Sequence, residues 1–329
     1  MGLLAVFLVV PYSVLAQEPA CQHRILPIAV RDAQNLPIPN VSPVDLQAKV
    51  HGKPVKILSL SPDTRPHRLV LILDASGSMG GETGESARWK LALLLARHFF
   101  NANNHSSPIA LLIFNNQVTD AVPFAAGNSA VAAKLLQIDS DPKYIKANIK
   151  GMTALRDTAL RALALLDHPN SGDAIYVLTD GVDNASKHSS SDLNGRLAVA
   201  SVRLFAILLE SRRESQRTSE EGSPPSELAE TARKSGGEIL SAAQWQGSRV
   251  ALSADTDGKF KVEETLSRLY QTMVQDSLLE VQLPLPITKT EHWELKLSDT
   301  ARRQWKGAQL TYPSSLLSCS AEVYGSGRH

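Results

Sequence analysis

Asp74, Ser76 and Ser78 are spaced by two in Asp74-Ala75-Ser76-Gly77-Ser78, directly after the apolar run Leu69-Val70-Leu71-Ile72-Leu73. In an extended turn, alternate side chains point to the same side, so this spacing aims one carboxylate and two hydroxyls together. Two further oxygen donors are expected at equivalent edges: Thr153 in Gly151-Met152-Thr153-Ala154-Leu155, and Asp180 in Leu178-Thr179-Asp180-Gly181. Five hard oxygen donors without His or Cys suit Mg²⁺, Ca²⁺ or Mn²⁺ and not zinc. Two carboxylates offset the divalent charge, and neutral hydroxyls fill positions without adding repulsion. Mg²⁺, the foremost candidate, prefers six ligands and keeps waters, which leaves a position for an outside donor. A carboxylate from a protein partner is the natural visitor.

Other chemistries lack their residues. Gly77, Gly80, Gly81 and Gly84 have the texture of a phosphate cradle, but no Gly-Lys-Ser/Thr follows them. There is no Gly-x-Ser-x-Gly elbow and no His-Glu-x-x-His. Asp183 is the one candidate for a residue that orients the site from behind, or for a general base in a metal-assisted hydrolase; its ordinary reading is a turn or cap residue. Lys and Arg number 34 against 33 Asp and Glu. That balance removes the electrostatic argument for nucleic-acid binding.

Placing those donors at one rim requires parallel strands with helical crossovers, and the chain from Arg68 onward reads that way. Buried strands are expected at Leu69–Leu73, Ile109–Phe114, Ala174–Leu178 and Val202–Leu209, with a short edge strand at Val118–Phe124. Helical spacing covers Ala87–Phe100, Thr153–Asp167, Glu227–Ser235 and Lys259–Asp276. The fold class is therefore α/β: a doubly wound, mostly parallel sheet flanked by helices. Ser211–Pro225 is a polar insert and reads as a surface loop. Residues 17–66 and 277–329 are β-like and punctuated by prolines, and each is too small to bury a core alone. Together they are expected to form a small β-sandwich-like module, joined to residues 67–276 through a linker at Pro62–Pro66.

Gly2–Val10 is continuously apolar and Ser13-Val14-Leu15-Ala16 offers a small-residue cleavage site. Residues 1–16 therefore read as a signal peptide, because the run is shorter than the roughly 20 residues of a spanning helix. No later segment is long and apolar enough to span, so the mature chain is expected to be secreted, periplasmic or in the cell envelope. The two cysteines, Cys21 and Cys319, lie near opposite ends of the mature chain. In an oxidising compartment one disulfide between them is the economical pairing; lipidation of Cys21 and two free thiols are the alternatives.

Asp74-x-Ser76-x-Ser78, the separate Thr153 and the Asp180-Gly181 pair resemble a von Willebrand factor type A domain with a complete metal-ion-dependent adhesion site. The resemblance covers about residues 67–276, and the flanking β segments resemble secreted bacterial VWFA-related proteins. It implies that Ser76, Ser78 and Thr153 hold the ion directly or through water, with Asp74 and Asp180 acting largely through water. It further implies a non-enzymatic, metal-dependent adhesion module in which the last helix, Lys259–Asp276, moves with the metal coordination. The insert at 211–225 departs from the family pattern. A structural module with a stabilising ion, or a metal-assisted hydrolase, stands as the alternative function.

Overall fold

A computed structural model describes residues 22–33, 36–80, 87–103, 107–209, 225–242, 267, 270, 277–316 and 318. The signal-peptide reading of residues 1–16, the Cys21–Cys319 pairing, nearly all of the insert and most of Lys259–Asp276 fall outside those residues.

The two β-like ends of the chain build one sheet. The strands are β1 (His23–Arg31), β2 (Leu46–Val50) and β3 (Lys53–Pro62) from the N-terminal segment. From the C-terminal segment come β10 (Ser277–Gln282), β11 (Glu291–Leu297), β12 (Gln309–Thr311) and β13 (Ser315–Leu316). Their order is β12-β1-β10-β3-β2-β11-β13, with every pairing antiparallel. β10 lies between β1 and β3, so neither segment forms the sheet without the other. The expected β module is present, held by these ladders and by a core that includes Ile28, Val50, Leu279, Val281 and Trp293. Alternation in β2 and β11 places every second side chain in that core. Pro27 and Pro54 occur where their strands have a neighbour on one side only, since β12 begins pairing at Ala29 and β10 reaches β3 only from Lys56. A residue without an N–H is tolerated there.

The second sheet has the order β6-β5-β4-β7-β8-β9. β4 (Leu69–Asp74), β5 (Ile109–Phe114), β7 (Ala174–Thr179) and β8 (Arg203–Leu208) are parallel neighbours buried at every position. β6 (Val118–Val122) closes one edge antiparallel and β9 (Ile239–Ser241) the other edge parallel. The helices are α1 (Ala87–Ala102), α2 (Gly127–Ser140), α3 (Pro142–Asn148), α4 (Leu155–Leu165), α5 (Ser190–Ala200), α6 (Pro225–Ser235) and α7 (Asp299–Gln304). Leu69, Leu71 and Leu73 pack with Trp89, Leu95 and Phe99 of α1 and Leu135 of α2. Val70 and Ile72 face the opposite layer, with Leu155, Leu193, Leu197 and Leu228 from α4, α5 and α6. At about 1.5–3 kcal/mol for each large apolar side chain removed from water, these two layers dominate the stability of this half. Tyr270 joins the α1 layer, stacking edge-on against Phe99 at 5.6 Å and donating its hydroxyl to Asn103 Oδ1.

The segment expected to be a linker is pinned. β3 runs through Pro62, and Arg65 donates to both Asp63 carboxylate oxygens and to the Ser171 carbonyl. Arg68 grips the buried Asp173 through its backbone N–H, Nε and Nη2. Arg65 thus ties the turn after β3 to the Ser171 carbonyl before β7, while Arg68 and Asp173 tie the amino ends of β4 and β7 to each other. At the other end of the sheet the chain leaves β4 on one side for β5 and β6, then returns on the other side for β7. Ligands of open α/β sheets bind outside the carboxyl ends of strands at such a reversal.

Candidate metal centre

Asp74 is the last residue of β4, and its side chain is fully buried. Both of its carboxylate oxygens are engaged: Oδ1 accepts from the Ser76 amide at 2.8 Å, and Oδ2 from the Thr179 hydroxyl at 2.6 Å. The first bond turns the chain sharply after the strand; a 3₁₀ turn, Gly77–Met79, follows. This geometry brings Ser76 Oγ and Ser78 Oγ to 3.1 Å from each other. Ser76 is buried and Ser78 exposed, so the pair runs from floor to rim.

Thr153 reaches this rim by a different route from the one expected. It lies in the loop between α3 and α4 and does not end a strand. That loop is stitched to the first by Gly77 N–H donating to the Gly151 carbonyl and Lys150 N–H to the Ala75 carbonyl, both at 3.0 Å. A Cβ on Gly77 would lie 3.3 Å from the Gly151 oxygen, and Gly151 itself has φ +85°. Both positions therefore favour glycine. The Ala154 amide hangs the same loop on the Asn115 carbonyl after β5, at 2.8 Å. Thr153 is buried; its amide donates to Asn184 Oδ1 at 2.8 Å, and its carbonyl accepts from the Asn184 and Ala185 amides.

Asp180 follows β7 in the third loop. Thr179 Oγ1 accepts from the Gly181 amide at 3.0 Å while donating to Asp74, so the two carboxylate-bearing loops share one hydroxyl. Asp180 Oδ1 is buried with no hydrogen-bond partner. Its other oxygen, Oδ2, lies 3.6 Å from Arg88 Nη1, which also donates to the Ser78 carbonyl at 3.3 Å. Burial raises the Asp74 carboxyl from its ordinary value to about 7, and the nearby Asp180 charge adds to the rise. Two carboxylates thus sit close together out of water, and one keeps an open oxygen.

Asp183 faces elsewhere. Its Oδ2 accepts from the Arg156 amide at the start of α4 and from the Ser186 hydroxyl, and its Oδ1 accepts from the Ser186 amide. The Arg156 guanidinium stands 3.4 Å from the same carboxylate. Asp183 therefore organises the 183–186 turn and the first turn of α4.

The donor set fits a hard cation. It comprises two carboxylates and three hydroxyl-bearing residues, and among the described residues no group of three or more His, Cys, Asp or Glu is clustered as a metal cage. The unpartnered Asp180 Oδ1 is the atom such an ion would satisfy. Thr179, Asn184 and Arg88 complete the site without having been singled out in the sequence. Their roles are contacts made across long stretches of chain, although a hydroxyl directly before Asp180-Gly181 is a readable signal for Thr179.

Residues 69–182, from β4 through the loop that carries Asp180, match the sequence model of the von Willebrand factor type A domain family. No curated protein matches the chain. Among solved structures it is similar to a von Willebrand factor type A protein from Catenulispora acidiphila. That match has 13% identity over 90% of this chain and 73% of the other, with TM-score 0.40. The pilus adhesin SpaC from Lactobacillus rhamnosus GG matches at 12% identity over 78% of this chain, with TM-score 0.39. The minor pilin PilB from Streptococcus sanguinis matches at 13% identity over 64% of this chain, with TM-score 0.38. The chain spans 47% of the first of these two and 63% of the second.

Proposed function

We propose that the chain is a divalent-cation-dependent protein-binding module of the cell exterior or envelope. Ser76, Ser78, Thr153, Asp74 and Asp180 would hold the ion, Mg²⁺ foremost, with Ca²⁺ or Mn²⁺ as alternatives. The observation that carries this reading is the buried, unpartnered Asp180 Oδ1 beside a second buried carboxylate and a pair of adjacent hydroxyls. Leaving a buried carboxylate oxygen without a donor costs free energy, and a bound cation repays it. When bound, the ion would supply an electrophilic position for an Asp or Glu carboxylate of a protein partner. Asp74, held from both sides, fixes the loop that presents the two serine hydroxyls. Asn184 sets the height of Thr153, and the backbone bonds from Gly77 to Gly151 and from Lys150 to Ala75 keep the two loops in register.

The non-enzymatic reading is supported by the state of Asp183, the base a hydrolase would need. Its oxygens are already occupied by Arg156 and Ser186. Placement outside the cytoplasm rests on the sequence of residues 1–16, and no helix among the described residues is long and apolar enough to cross a membrane. The test is capture of envelope proteins on the immobilised full chain in Mg²⁺, in EDTA, and with Ser76→Ala/Ser78→Ala in Mg²⁺. Retention in the first condition alone supports adhesion through the ion. Equal retention in all three contradicts it, and an ion that raises thermal stability without changing retention favours the structural-module alternative.

A further inference from the structure

Arg88 is the second described residue of α1 (Ala87–Ala102). Arg88 Nη1 reaches the Ser78 carbonyl at 3.3 Å and lies 3.6 Å from Asp180 Oδ2, so the guanidinium spans the loop after β4 and the loop after β7. The arginine side chain is 27% exposed and the aspartate side chain 5%. It therefore approaches from the solvent side over a largely sequestered carboxylate. The contact is long for a charge-assisted hydrogen bond, which closes to about 2.7–2.9 Å when optimal. Asp180 Oδ1 stays unpartnered beneath it. This is a loose cover, with neither the distance nor the two-point geometry of a permanent salt bridge.

We infer that Arg88 is a tethered counter-ion of this site: it neutralises Asp180 when no metal is bound and competes with the divalent cation for it. The inference rests on the metal reading above and goes beyond it, because it assigns a residue that opposes the ion. Arg88 stands beside Oδ2 while the ion would take Oδ1, so the two compete through charge repulsion across a few ångströms and not for one atom, and the side chain is driven outward as the ion enters. Removing the charge frees Asp180 for the metal and leaves the empty site with two uncompensated carboxylates.

The experiment is a calorimetric titration of the full chain with MgCl₂ and separately with MnCl₂, at fixed pH and ionic strength, for the wild type, Arg88→Gln and Arg88→Lys. Arg88→Gln is expected to bind either ion roughly tenfold more tightly, within the usual range of coupling between two competing occupants. Its metal-free form is expected to melt below the metal-free wild type, with Arg88→Lys between the two in affinity. Equal or weaker ion binding by Arg88→Gln, with the wild type binding normally, overturns the inference and leaves the metal site standing. No binding by any of the three chains removes the metal site itself. In the unaltered chain, the Arg88 Nε–H resonance is expected to shift over the Mg²⁺ range that saturates the site. A static resonance through saturation contradicts the inference without relying on any variant.

Discussion

The Thr179 hydroxyl donates to Asp74 Oδ2 at 2.6 Å and accepts from the Gly181 amide at 3.0 Å. One side chain at the end of β7 therefore holds the carboxylate that ends β4 and the turn that carries Asp180. The two acids of the site are positioned as a unit, across 105 residues of sequence. Thr179→Val keeps the shape and removes the donor. A buried carboxylate short of one hydrogen bond costs about 1–3 kcal/mol. The expected outcome is that much loss in urea unfolding, together with weaker Mn²⁺ binding. Unchanged ion affinity would show that this hydroxyl does not organise the site.

Asp173 tests the opposite end of the same sheet. It is fully buried and accepts from the backbone, Nε and Nη2 of Arg68 and from the Asn170 amide. Asp173→Ala is expected to cost about 3 kcal/mol, the low end for a broken buried pair because Arg68 reaches solvent. Ion affinity should stay within about twofold of wild type, since independent sites do not couple.

His67 makes stability depend on pH. Its ring is buried against Gly172, where an added Cβ would lie 2.2 Å from His67 Cε1 and where φ is +102°. Burial lowers its pKa, and the Arg203 and Arg65 charges reinforce the effect, while Asp63 and Asp173 oppose it. The folded protein thus binds this proton less readily than the unfolded chain. Stability should be lost as pH falls below the ordinary histidine value of about 6.5, and it should recover fully above it. Denaturation midpoints measured between pH 5 and 8 check this: His67→Leu should flatten the His67 contribution below pH 6.5. An identical slope in wild type and variant would assign the acid sensitivity elsewhere.

Gly172→Ala examines the same packing sterically. The new methyl group forces the His67 ring to move and strains the backbone, so a loss above about 2 kcal/mol is expected. Gly172→Ala/His67→Ala should recover the clash but not the backbone strain. Full additivity of the two changes in a double-mutant cycle would show that the ring and the glycine do not interact.

Saturating Mg²⁺ should raise the melting temperature reversibly. A ligand at a hundredfold its dissociation constant adds about 2.7 kcal/mol when it binds only the folded state. EDTA should return the midpoint to its starting value, and the increment should be absent in Asp180→Asn.

Much of this was legible in the sequence because some elements carry their own signal. β4 and β5 occupy the continuous apolar runs that end at Asp74 and Phe114, since strands buried on both faces admit little else. The sequence pattern does not announce the helices α2, α3, α5 and α7. The buried side of α5 consists of Leu193 and Leu197, too short a stripe for periodicity. Its start was nevertheless written in the Ser189–Asp192 capping box. α2 opens on Gly127-Asn128-Ser129, residues that ordinarily mark turns. At the candidate site, residue types and spacing single out Asp74, Ser76, Ser78, Thr153 and Asp180 as the proposed donors, and backbone bonds set the loops that carry Ser76 and Thr153 side by side. Types and spacing could not show that Thr153 arrives from a helix-to-helix loop, that Asn184 holds it, or that Arg88 reaches over Asp180. Those are facts of packing between distant segments, where spacing along the chain carries no information.

The most direct measurement is Mn²⁺ binding to the full chain by electron paramagnetic resonance, compared with Ser76→Ala/Ser78→Ala. One bound ion per chain, lost in a variant whose circular dichroism is unchanged, is the expected result. A wild-type chain that leaves millimolar Mn²⁺ entirely free, or a variant that binds it equally well, would contradict a cation held by these three loops.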